Sequence, residues 1–178
     1  MRIPLIEKEI DIPDGVQVDV QGPVVTVSGE KGSLERTFDH PAIEITKEDS
    51  LVKVRSEFPR AEEKSLVGTY TSHIKNMVKG VTDGFTYRMK VVYSHFPVKV
   101  SVKDDHVLID NFLGEQHPRS ADIMGDVTVT VKGDSVTLEG INKEHVGQTA
   151  ANIERAVRVR RRDIRVFQDG IYITEKGA

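Results

Sequence analysis

The chain has 178 residues, 38% hydrophobic and 30% charged, an ordinary balance for a folded protein that fits neither a disordered tail nor a membrane protein. No apolar run approaches the roughly 20 residues that span a bilayer, and Glu7 comes too early for a signal peptide, so a cytoplasmic setting is expected. With no cysteine, disulfide frameworks, thiolate metal sites and thiol nucleophiles are excluded.

In chain order, the first clear element is VDVQGPVVTVSG at 18–29, whose apolar-polar alternation around Gly22 predicts a β-hairpin with one buried face. Residues 43–46 and 51–55, on either side of KEDS, predict a second hairpin. A helix is expected next, with Pro59 in its first turn, Glu62 and Glu63 at its positive end, Lys75 and Lys79 towards the other, and Gly80 closing it. Leu66, Tyr70, Ile74, Met77 and Val78 give this helix one apolar stripe that should pack on a sheet. Residues 98–102 and 106–109, around KDD, read as the counterpart of the 43–55 hairpin. A further hairpin is predicted at 129–140. Asn142 then N-caps a second helix, with Glu144 in its first turn and a stripe of Val146, Ala150, Ile153 and Val157. Phe167, Gln168, Asp169, Gly170 and Tyr172 read as a tight hairpin.

The chain resembles itself. Residues 18–29 align without a gap on 129–140, with six of twelve positions identical, including Gly22 with Gly133 and Gly29 with Gly140. Val67, Gly68, Ile74 and Val78 return as Val146, Gly147, Ile153 and Val157 at the same mutual spacing. Two echoes in one order imply two tandem, similar domains, 1–82 and 83–178. Hairpins with one helix per half make the fold class α+β.

Charge is unevenly placed. The total is −3, with residues 1–82 also at −3 and residues 83–178 at zero. Within the second half, RAVRVRRRDIR at 155–165 holds six arginines and one aspartate, leaving the rest of that half at −5. A concentrated positive patch on an acidic background suits a polyanion partner, and arginine's planar fork suits phosphate. Val157, Val159, Ile164 and Val166, threaded through the run, are expected to tie it to the core, and the neighbouring aromatic and amide groups suit RNA.

Catalytic constellations are not evident. The six histidines stand at least eleven residues apart and lack the i, i+4 pairing of a zinc protease, so neither a metal nor a cofactor is expected. Ser94 beside His95 is read as strand neighbours facing opposite ways, not as a nucleophile with its base. Gly29-Glu30-Lys31-Gly32-Ser33 lacks the spacer of a phosphate loop and reads as a turn. An enzyme using Ser94 and His95, and an interaction module docking a basic partner through the acidic N-terminal half, are the other readings open to these residues.

Five longer segments carry a resemblance: GTYTSHIKNMVKGVTDGF (68–85), YSHFPVKV (93–100), DNFLGE (110–115), VGQTAANIE (146–154) and DIRVFQDGIYITEK (163–176). In these, in order and through essentially the whole chain, the sequence resembles the large-subunit ribosomal protein six family in its archaeal and eukaryotic version. DIRVFQDG stands where the bacterial branch has a Lys-Gly-rich segment. The resemblance implies a non-enzymatic constituent of the large ribosomal subunit with two α+β domains, each a small antiparallel sheet packed on one helix. It implies binding to large-subunit rRNA, chiefly by the C-terminal domain, near the sarcin-ricin stem and the stalk base among neighbouring ribosomal proteins. No membrane or small-molecule substrate is implied. By position, Arg158, Arg160, Arg161, Arg162 and Arg165 are the phosphate candidates, followed by Gln168, Tyr172 and Lys176. Tyr93, Ser94 and His95, and the loop at 114–119, are further candidates that turn chemistry also explains. The net charge of −3 is unusual for such proteins and leaves residues 1–82 to face solvent or another protein.

Overall fold

The computed structural model describes residues 3–177 and divides into two compact units, Met1–Asp83 and Gly84–Ala178. In the N-terminal unit, β1 (Leu5–Asp11), β6 (Leu51–Glu57) and β5 (Glu44–Glu48) form one antiparallel sheet in that order. A second sheet runs β2 (Gln17–Gln21), β3 (Val24–Gly29), β4 (Gly32–Thr37). The single helix α1 (Ala61–Thr82) packs on β1, β3 and β6. Strand alternation sorts the side chains: Val25 and Val27 of β3 and Val52 and Val54 of β6 are fully buried, in one core with Val67, Ile74 and Val81 of α1.

The boundaries of α1 differ from those expected. Pro59 precedes the helix instead of opening it, because Arg60 is the N-cap and its backbone N–H is taken by the Glu63 carboxylate at 2.7 Å. Gly80 does not end the helix but is buried within it, and the last turn continues to Thr82. What carries the helix past the glycine is packing, since Val81 is fully buried against Gly29. The buried stripe accordingly runs through Val67, Thr71, Ile74, Met77, Val78 and Val81, with Leu66 and Tyr70 half-buried at its margin.

The C-terminal unit has β7 (Phe85–Val92), β8 (Lys99–Lys103), β9 (His106–Asp110), β10 (Arg119–Asp122), β11 (Thr128–Lys132), β12 (Ser135–Gly140), α2 (Lys143–Ala156) and β13 (Gly170–Lys176). Its sheets are β10-β9-β8 and β11-β12-β7-β13, all antiparallel. Asn142 caps α2, its Oδ1 accepting the Glu144 N–H at 2.9 Å. Val146, Ala150 and Ile153 join Phe85, Met89, Leu138 and Ile171 in the core. Phe167 to Tyr172 do not make a hairpin: Gly170 begins β13, which pairs with the distant β7, Gly170 opposite Val92.

The fold is α+β and internally duplicated, but the hairpins correspond differently from the sequence alignment. Element by element, β1 to β6 and α1 match β7 to β12 and α2, with β13 added at the far side of β7. Thus β2–β3 corresponds to β8–β9, and β5–β6 to β11–β12. The 18–29 and 129–140 hairpins, which look alike in sequence, hold different places. Their likeness follows turn chemistry, because Gly22 and Gly133 each open a two-residue turn with φ near +60°, whereas Asp49 and Asp104 do so in the other two hairpins. The helix echo is in phase: Val67, Ile74 and Val78 are buried as Val146, Ile153 and Val157 are.

Candidate nucleic-acid interface

Helix α2 stops at Ala156, with Val157 buried as its C-cap, so the arginine run is not helical beyond Arg155. Residues 158–169 form an irregular segment between α2 and β13, and Arg158, Arg160, Arg161, Arg162, Arg165 and Gln168 are all exposed on it. A turn shapes its middle, where the Asp163 carbonyl accepts the Val166 and Phe167 N–H groups at 3.1 and 2.9 Å. The Asp163 carboxylate takes Arg165 at its backbone N, Nε and Nη2, at 2.9, 3.1 and 2.8 Å. That hydrogen bonding holds the Asp163 carboxyl below its usual range and raises the Arg165 guanidinium. Arg162 lies over the Phe167 ring, 4.8 Å from its centroid. Among the described residues, the side chains of Arg158, Arg160 and Arg161 have no carboxylate partner. Of the apolar residues threaded through the run, Val157 is buried and Val159 half-buried, but Ile164 and Val166 are about 70% exposed. They therefore do not tie the segment to the core.

Two other stretches of the same unit meet this segment. Tyr93, Ser94 and His95 are exposed on the loop after β7 rather than on a strand, and the Ser94 N–H donates to the buried Asp169 carboxylate at 3.3 Å. Phe96 follows and covers Gly114, whose φ is +78°; a Cβ there would lie 3.0 Å from the ring. Gly114 belongs to a tight corner at Phe112–Gly114, which leads through Glu115 to Arg119 at the start of β10. Arg119 forks onto the Glu115 carboxylate through Nε and Nη2 at 2.8 and 2.6 Å, and its Nη1 donates to the Ala156 and Arg158 carbonyls at 2.8 and 3.1 Å. The Arg119 hydrogen bond, with charge from Arg119 and Arg162, holds the Glu115 carboxyl low. Tyr172 stays by the segment, its hydroxyl donating to the Gln168 carbonyl at 2.9 Å. Lys176 does not: it ends β13 opposite Tyr87, roughly 20 Å along the strand from Gly170.

The residues 12–84 and 96–170 each match the family described as Ribosomal protein L6. The chain belongs to the ribosomal protein L6 family. It is 53% identical over 171 residues to "Large ribosomal subunit protein uL6" of Methanobrevibacter smithii, covering 96% of each chain. The protein of that name from Methanothrix thermoacetophila is 54% identical over 171 residues, covering 96% of this chain and 97% of its own. The one from Methanococcus vannielii is 53% identical over 172 residues, covering 97% and 94%. These relatives are ribosomal proteins, not enzymes.

The two family matches contain β2 to β6 with α1, and β8 to β12 with α2, in agreement with the duplication read from topology. Arg158, Arg160, Arg161, Arg162, Arg165 and Gln168 fall inside the second match, while Tyr93, Ser94, His95, Tyr172 and Lys176 lie outside both. Among the described residues of this L6-family chain, no cluster of three or more His, Asp or Glu is placed to hold a metal, and no helix is long and apolar enough to cross a membrane. Sequence reasoning gives the loop at 114–119 only as a further RNA candidate and misses the structural part that Glu115 and Arg119 play in it; the i, i+4 spacing of the acid that ends DNFLGE and Arg119 is the available signal.

Proposed function

We propose that the chain is a structural constituent of the large ribosomal subunit that binds large-subunit rRNA through its C-terminal unit. The observation that carries this is the arginine segment: Arg158, Arg160 and Arg161 are exposed cations without a carboxylate partner among the described residues, on a non-helical stretch anchored at both ends, in a member of a ribosomal protein family. Arg162 on Phe167, Gln168, Tyr172 and the loop at Tyr93, Ser94 and His95 add stacking and hydrogen-bonding groups beside it, the types that RNA recognition uses. Lys176 stands apart and would touch a different stretch of RNA. The family resemblance supports a location near the sarcin-ricin stem and the stalk base, with neighbouring ribosomal proteins as partners and the cytoplasmic ribosome as the setting.

The mechanism is scaffolding. Each phosphate neutralised releases counterions, so binding weakens with salt by a log-log slope of about 0.7 to 0.9 per contact. Cosedimentation with large ribosomal subunits tests the reading: retention at low salt with graded loss at high salt is expected. Free protein at every salt concentration would overturn it and leave the acidic N-terminal half as the place to seek a protein partner.

A further inference from the structure

A guanidinium carries five N–H donors, and Arg119 has committed four of them within its own unit: two to Glu115 and two to the carbonyls of Ala156 and Arg158. Its cationic face is occupied as well, 4.5 Å above the Phe112 ring, and its side chain is only 22% exposed. The two carbonyls flank the point where α2 ends and the arginine segment begins. Helix C-terminal carbonyls lack partners within the helix, and here a side chain from β10, 37 residues earlier in the chain, supplies one to Ala156 and also holds the Arg158 carbonyl, 39 residues on, just past the helix cap. Arg119 therefore fixes the root of the segment, and Glu115 fixes Arg119.

We propose that Arg119, held by Glu115, is a positioning residue that presents the arginine segment to RNA and is not itself a phosphate ligand. This rests on the RNA-binding reading above. A lysine at 119 would keep the charge but not the planar fork. Glutamine at 115 would remove a negative charge beside Arg162 but weaken the fork's acceptor. By charge alone, Glu115→Gln should tighten binding to a polyanion; by positioning, it should loosen it.

The experiment uses the full chain and a transcript of large-subunit rRNA, with folding checked by circular dichroism and amide exchange measured on the free protein. Glu115→Gln and Arg119→Lys are each expected to weaken binding by about tenfold and to speed exchange at the Val157 and Arg158 amides by about tenfold, with the β11–β12 amides unchanged. Tighter or equal binding by Glu115→Gln overturns the proposal. So does wild-type affinity in Arg119→Lys, or faster exchange with unchanged affinity, which would leave the clasp merely structural. If the wild type itself fails to bind the transcript, the RNA reading falls instead, and the exchange measurement alone decides whether the clasp orders the segment.

Discussion

Arg160 and Arg161 differ from Arg165 in one respect that matters for RNA: among the described residues no carboxylate pairs with them, whereas Asp163 holds Arg165 in a fork. Removing both with Arg160→Ala and Arg161→Ala is expected to reduce the salt slope of RNA binding by about 1.4 to 1.8 while leaving the circular dichroism spectrum intact; an unchanged slope would remove them from the interface. Arginine type and density made this patch legible in the sequence. Which arginines are free was only partly legible, since Asp163 lies two residues from Arg165, but the Arg119 clasp joins positions 37 and 39 residues apart. The Glu115 carboxyl, held low first by its hydrogen bond to Arg119, adds a pH dependence. A carboxyl lowered by folding stabilises the folded form fully above its ordinary value of 4.5, and loses that stabilisation as pH falls through the lowered value. Protection of the Val157 and Arg158 amides is thus expected to hold from neutral pH to about pH 5 and to fall at more acid pH. Glu115→Gln should show no such fall at these two amides, and an identical fall in that variant would assign it to other carboxylates.

At the level of elements, the two hairpins most alike in sequence occupy different places, which shows what sequence likeness reports here. Apolar alternation states that one face of a strand is buried, and a glycine with φ near +60° states that the turn has two residues; neither states which strand lies alongside. That information is in the long-range pairing, β1 with β6 and β7 with β12, and each strand needs its partner before the pairing can be recognised. The hairpins at 18–29, 43–55, 98–109 and 129–140, both helices, the Asn142 cap and the α+β class were legible because each follows from local chemistry, whereas the one expected at Phe167–Tyr172 gave way to long-range pairing of β13 with β7. The ends of α1 were not, because Arg60 with the Glu63 carboxylate made the N-cap one residue past Pro59, and burial of Val81 overrode the helix-weakening glycine before it. Close approach gives the matched glycines Gly29 and Gly140 separate tests. A Cβ at Gly29 would stand 2.8 Å from both the Val81 carbonyl oxygen and its Cγ2, whereas at Gly140 the 2.9 Å neighbour is a Val146 methyl and the nearest backbone atom is 3.8 Å away. Gly29→Ala is expected to destabilise the N-terminal unit by about 1 to 3 kcal/mol, and Gly140→Ala to cost its own unit less, as read by denaturant melts. Equal costs would mean that the α1 backbone yields as easily as a side chain.

For the molecule as a whole, the two cores share no residue: one runs from Ile10 to Val81, the other from Phe85 to Ile171. The units, of 83 and 95 residues, are each large enough to hold their own core. Ile74 and Ile153, matching positions on α1 and α2, are both fully buried, so truncation of either to alanine is expected to cost about 2 to 5 kcal/mol. Because the cores are separate, that cost should fall on one unit at a time: Ile74→Ala lowers the melting of the N-terminal unit and Ile153→Ala that of the C-terminal unit, resolved by amide exchange during a thermal ramp. The same variants divide the RNA-binding role. The N-terminal half carries −3, while the exposed arginine segment lies wholly in the other. At a temperature where Ile74→Ala has melted its own unit, binding to large-subunit rRNA should persist, and where Ile153→Ala has melted its unit, binding should be lost. Loss of binding in both variants would mean that the interface draws on both units, and that the arginine segment reaches its full affinity only with contacts from the acidic half.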